Sequence, residues 1–156
     1  MMRVKTGFAS LIAAVVLVVC CAACSMTKTA MTASDFGSRA KEAGFELVDA
    51  AQQFEEGTVE SVTLAVKTEY QMEFYVLPSE DQTKSAFAAN QAKFESAKGS
   101  AASTKSVSMG NYSYYYQTTQ ESFYLVSRVD DTMLYCVADA QYKDAILDLV
   151  KKWGYV

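Results

Sequence analysis

The sequence predicts an α+β domain: a mainly antiparallel sheet of five to six strands with amphipathic helices packed on one face, in the order α-βββ-α-βββ-α. Three observations carry this prediction. Apolar residues alternate with polar ones at Val62, Leu64 and Val66 and again at Met72, Phe74 and Val76, the two-residue period of half-buried strands. Aromatic and β-branched runs at 112–118, 123–129 and 132–138 read as three further strands, with Asp130-Asp131 suited to a tight turn between the last two. Tyr142, Ala145, Ile146, Leu149, Val150 and Trp153 form a stripe at helical spacing near the C-terminus.

Taken in order, residues 25–33 are small, polar and aperiodic, which suits a tether ahead of a domain at 34–156. Ser34 can cap a first helix with Phe36, Ala40 and Ala43 on one face and a left-handed stop at Gly44. Phe45 to Asp49 reads as a short strand. A Gln/Glu-rich connection to Gly57 then leads into the hairpin of 62–66 and 72–76, which turns near Thr68 to Tyr70. Pro78 cannot sit inside a central strand and so ends the hairpin. Ser79-Glu80-Asp81-Gln82 is a capping-box pattern opening a helix with Thr83, Phe87, Asn90, Phe94 and Ala97 on one side. Ser100 to Ser106 reads as a surface loop. After the three strands, Asp139 can cap the last helix, Lys151 and Lys152 suit its negative end, and Gly154 stops it.

Ahead of the domain, Arg3 and Lys5 precede an uncharged run from Phe8 to Cys24, the charged-then-apolar order of an export signal. The run closes on Ala22-Ala23-Cys24-Ser25. Small residues before a cysteine resemble the lipobox of bacterial prolipoproteins, although Cys21 stands where that motif usually carries Leu. The resemblance implies a signal peptide at 1–23, cleavage ahead of Cys24, and a diacylglycerol thioether with further acylation such as palmitate on Cys24. Residues 24–33 would then be the lipidated cysteine and tether. Two acyl chains hold a protein stably on a membrane where one does not. The 22 uncharged residues between Lys5 and Lys28 also have the length of an uncleaved spanning helix, and secretion after Ala23 is a third outcome. With either anchor, Arg3 and Lys5 keep the N-terminus in the cytoplasm and place residues 25–156 on the extracytoplasmic side.

Composition narrows the partners. Without Arg3 and Lys5 the exported part holds 12 basic and 18 acidic residues, a net charge of −6 that argues against nucleic acid and polybasic lipid binding. The chain has no histidine, which removes Ser-His and Cys-His nucleophile activation and imidazole metal sites. Of its four cysteines only Cys136 lies in the domain, where a lone thiol in an apolar strand reads as a small core residue and no internal disulfide can form. Asp130, Asp131 and Asp139 lack the spacing of a calcium loop, and Glu55, Glu56, Glu60, Glu80 and Asp81 read as solvated faces and helix-start charges. There is no phosphate loop and no nucleophile elbow. The expectation is a non-enzymatic protein without cofactor or metal. It would be anchored through its N-terminal lipid and act as a binding or protein-interaction module for an envelope protein or small polar ligand. A structural or assembly accessory of the envelope is the alternative, and the pattern resembles small envelope lipoproteins.

Tyrosine is the most unusual feature of the domain. Successive strand residues face opposite sides of a sheet, so parity sorts the tyrosines into two sets. Tyr112, Tyr114 and Tyr116 join Phe123, Leu125, Val129, Met72, Phe74 and Val76 on the side expected to face the helices. Glu73, Tyr75, Tyr115, Gln117, Tyr124 and Arg128 fall on the other side and are expected to form an open face that binds a ligand.

Overall fold

The computed structural model describes residues 26–99 and 102–156. The export segment and Cys24 lie outside them. The order is α1 (Ala33–Glu42), β1 (Glu46–Asp49), β2 (Ser61–Val66), β3 (Gln71–Val76), α2 (Glu80–Ser96), β4 (Ser103–Met109), β5 (Tyr112–Thr118), β6 (Ser122–Val129), β7 (Thr132–Asp139) and α3 (Lys143–Lys152), with short 3-10 turns at Ala51–Gln53 and Ala140–Tyr142. The α+β class and the antiparallel sheet are as expected. No helix among the described residues is long and apolar enough to cross a membrane.

The sheet has seven strands rather than five or six, in the order β1-β2-β3-β7-β6-β5-β4. The extra strand is β4, where a loop was expected. Its Ser-Thr-Lys-Ser-Val-Ser-Met run is almost wholly exposed because it is the outermost strand, with only Val107 half-buried against the core. An edge strand of that kind carries no apolar alternation, so only its pairing with β5, Ser103 opposite Thr118 through Met109 opposite Tyr112, reveals it. The Asp130-Asp131 turn forms as expected, with Asp130 at φ 50° between the paired Val129 and Thr132.

Helices cover both faces of the sheet, not one. Phe36 and Ala40 of α1 and Ile146, Leu147 and Val150 of α3 pack on Met72, Phe74, Tyr112, Tyr114, Phe123, Leu125, Val129, Leu134 and Cys136. Phe36 stacks on Phe74 at 4.6 Å between ring centres and meets Trp153 edge-on at 5.6 Å. The opposite face takes α2, whose Phe87 and Phe94 pack on Tyr115, Val126 and Met133. Val126 and Met133 are apolar at the parity assigned to solvent, and that surface needs cover.

Local chemistry sets the helix ends. Thr32, not Ser34, caps α1: its hydroxyl accepts the Asp35 N–H at 3.0 Å while the Asp35 carboxylate accepts the Thr32 N–H at 3.2 Å. Ser79 caps α2 by accepting the Gln82 N–H at 3.2 Å. Asp139 makes no capping hydrogen bond, because the 3-10 turn intervenes before α3 begins at Lys143.

Part of the segment assigned to the tether is docked. Asn111 accepts the Lys28 N–H at 3.0 Å and donates its amide to the Lys28 carbonyl at 2.8 Å. The Met31 N–H donates to the Tyr155 hydroxyl at 3.2 Å, and Met31 is buried. Tyr155 is itself fixed, sharing a 2.5 Å hydrogen bond with Thr132 while its carbonyl accepts from Ser127.

Candidate functional site

The six residues expected on a ligand-binding face do share one face of the sheet. Tyr75 lies opposite Met133 and Glu73 opposite Tyr135 between β3 and β7; Arg128 lies opposite Met133 between β6 and β7. Tyr115 pairs with Val126, and Gln117 with Tyr124, between β5 and β6. That face is not open at all six positions. Tyr115 is 2% exposed, Gln117 0% and Arg128 4%; Phe94 of α2 lies on Tyr115, and Arg128 lies beside Glu80 at the start of that helix.

Their contacts give these three structural roles. Arg128 donates to the Asn111 carbonyl at 3.2 Å and lies 3.5 Å from the Glu80 carboxylate, tying the turn after β4 to the first turn of α2. Tyr115 donates its hydroxyl to the Gln117 side-chain oxygen at 3.0 Å, and the buried Gln117 nitrogen has no partner among the described residues. Phe94 packs on Tyr115, Tyr124 and Tyr135 at 6.5, 5.1 and 5.4 Å between ring centres. Tyr124 is half-buried at the edge of this cluster.

Glu73 and Tyr75 remain accessible, in a cleft of about 420 Å³. Its floor is Glu73 and Tyr75 of β3 with Met133 and Tyr135 of β7; one wall is Ala86 and Asn90 of α2, and the other is Phe54, Thr58 and Val59 from the connection between β1 and β2. The cleft exists because α2 covers β6 and β7 but leaves β3 to that connection. Phe54 meets the Tyr75 ring edge-on, 5.9 Å between centres and 88° between planes.

Hydrogen bonds orient the Glu73 carboxylate. Gln71 donates to one oxygen at 3.1 Å, and the Tyr75 hydroxyl donates to the other. Burial raises the Tyr75 hydroxyl well above the usual tyrosine range, and the Glu73 hydrogen bond and charge add to it. Tyr135 is raised by burial first and by Glu73 second. The Tyr75 hydroxyl is the donor that reaches Glu73. On the opposite face the Cys136 thiol is buried as expected, donates to the Gln71 carbonyl at 3.3 Å, and is pushed up to about 12 by burial and then by Glu73. No group of three His, Cys, Asp or Glu residues able to hold a metal occurs among the described residues.

Tyr135 and Asn90 belong to this cleft and were not placed there from sequence. Asn90 carried a signal, since a polar side chain on the buried stripe of a helix needs a reason. Its amide donates to the Ala86 carbonyl at 3.0 Å. Comparison with protein-family models, curated proteins and solved structures gives no match.

Proposed function

We propose that the protein is a lipid-anchored, extracytoplasmic binding module that holds a small polar ligand in the cleft between α2 and β3. The observation that carries the binding reading is the Glu73 carboxylate, oriented by two neutral donors in a cleft lined by rings. A few convergent polar groups on an otherwise apolar concave surface are the general form of a small-molecule site. The anchoring rests on Arg3, Lys5, the uncharged run and Ala22-Ala23-Cys24.

The docked N-terminal segment supports a link between anchor and cleft. Lys28 is held by Asn111, Asn111 accepts the Asp130 N–H at its carbonyl, and the Asp131 carbonyl accepts from Leu77, a cleft residue. Lys28 and the Leu77 side of the cleft therefore lie at the same end of the sheet. Four residue steps separate Cys24 from Lys28, at most about 14 Å of extended chain.

The test is native mass spectrometry of the protein isolated from its own membranes, beside an Ala86→Trp variant that fills the cleft. A small molecule retained by the wild type and lost from the folded variant supports the reading. Equal retention by both would overturn it.

A further inference from the structure

We infer that the cleft takes a small organic cation with an alkylammonium head, whether free in solution or carried on a lipid. This rests on the cleft being a binding site, as proposed above, and adds the chemical class of its ligand.

The first argument is charge. Gln71 and Tyr75 fix the Glu73 oxygens in place, but both are neutral donors and leave the negative charge uncompensated. The salt bridges among the described residues are made by Lys84, Arg128 and Lys151, and none reaches Glu73. Arg128, the cation on the same sheet face, is held at the Asn111 carbonyl and Glu80. A half-buried carboxylate without a counter-ion is costly, and low local dielectric strengthens its attraction for a cation that enters. An anion would meet like charge, and a neutral sugar would leave the carboxylate unpaired.

The second argument is the lining. Phe54 and Tyr75 present rings at right angles, and Tyr135 lies directly across the strand pair from Glu73. Aromatic faces attract cations through their quadrupole, and quaternary ammonium groups are recognised in this way. A hard metal ion would need several oxygen ligands, whereas Glu73 is the only carboxylate among the lining residues. The volume of about 420 Å³ is that of a small-molecule site rather than a bare-ion site.

Met133 provides the readout, because it lines the cleft while Met72 is buried on the opposite face and serves as internal control. The full chain, carrying 13C-methyl methionine in maltoside micelles, is titrated with choline and with 3,3-dimethylbutanol, its neutral isostere. Choline should move the Met133 signal and leave Met72 in place, binding at least tenfold more tightly than the isostere. Glu73→Gln, which keeps an acceptor for Tyr75, should lose at least tenfold in choline affinity while its circular dichroism is unchanged. Micelles doped with phosphatidylcholine or phosphatidylglycerol form a second arm. A Met133 shift with choline or with phosphatidylcholine, absent with phosphatidylglycerol, upholds the inference and tells a free ammonium from a lipid headgroup. Equal binding of choline and its isostere, or full affinity in Glu73→Gln, would overturn the cation class and leave the cleft standing as a site for another ligand. No Met133 shift with any probe would also overturn the cation class; loss of the binding reading itself is decided separately, by equal small-molecule retention in wild type and Ala86→Trp.

Discussion

Phe94→Ala tests whether α2 closes the second face of the sheet. Phe94 is 4% exposed and is the residue of α2 that touches three tyrosines at once. An aromatic side chain buries about 150 to 250 Å², and at about 25 cal/mol per Å² this is worth about 4 to 6 kcal/mol. Alanine keeps only the first carbon, so the loss should be about 3 to 5 kcal/mol, the range of large-to-small core substitutions. For a domain of this size that lowers the melting temperature by about 10 to 20 °C. The assay is urea unfolding followed by far-ultraviolet circular dichroism and by Trp153 fluorescence. Trp153 is the only tryptophan and packs on the other face, against Phe36. Both probes should report the same reduced midpoint, because the two faces share one sheet and unfold together. Lys84→Ala, on the exposed side of α2, should leave the midpoint in place. A loss below about 1 kcal/mol in Phe94→Ala would show that α2 is not packed as described, and the buried state of Tyr115 and Arg128 would fall with it.

One further outcome rests on the N-terminal sequence and two on the contacts described. Cys24→Ser should abolish acylation and leave the signal uncleaved, since only a thiol forms the thioether to diacylglycerol; the intact mass of the N-terminus decides it, and an unacylated wild-type chain starting at Met1 would refute the lipid anchor and leave the uncleaved spanning helix standing. Asn111→Ala removes the side-chain bonds that hold Lys28 and Asp130 and should cost about 1 to 3 kcal/mol, with proteolytic nicking ahead of Thr32 increasing as the strap is released; unchanged nicking would show the strap held elsewhere. Alkaline stability should fall from about pH 9 upward. Burial raises Cys136 from 9.0 to about 12 and Tyr155 from 10.0 to about 12, so each contributes stability that is complete below its ordinary pKa and lost as pH rises through the folded value. Cys136→Ala should delay the onset by removing the earlier of the two, and the urea midpoint measured from pH 8 to 11 would show it.

The sequence makes one layer of this fold plain and conceals the other. Met72, Phe74 and Val76 alternate with Gln71, Glu73 and Tyr75, so parity puts Met72 and Phe74 in the core without any structure. The same rule places Glu73, Tyr75, Tyr115, Gln117, Tyr124 and Arg128 together, and that grouping is what the sheet shows. Parity states which residues share a side, not what lies over it. Ser113 and Gln117 beside Tyr115 make that side read as solvent-facing, yet Val126 and Met133 on it are apolar and belong under a helix. The buried positions of α2, Thr83, Phe87 and Phe94, are too sparse to declare which face they seek, since a helix with three buried residues in seventeen suits either side of a sheet. The cleft depends on strand order. β3 lies next to β7, which comes 56 residues later, and this neighbour relation puts Tyr135 opposite Glu73. No local period encodes it. The lack of a cation beside Glu73 among the described residues is equally invisible in the sequence, because it is a property of where side chains go: Arg128 turns to Glu80 and Asn111, and no described lysine lines the cleft.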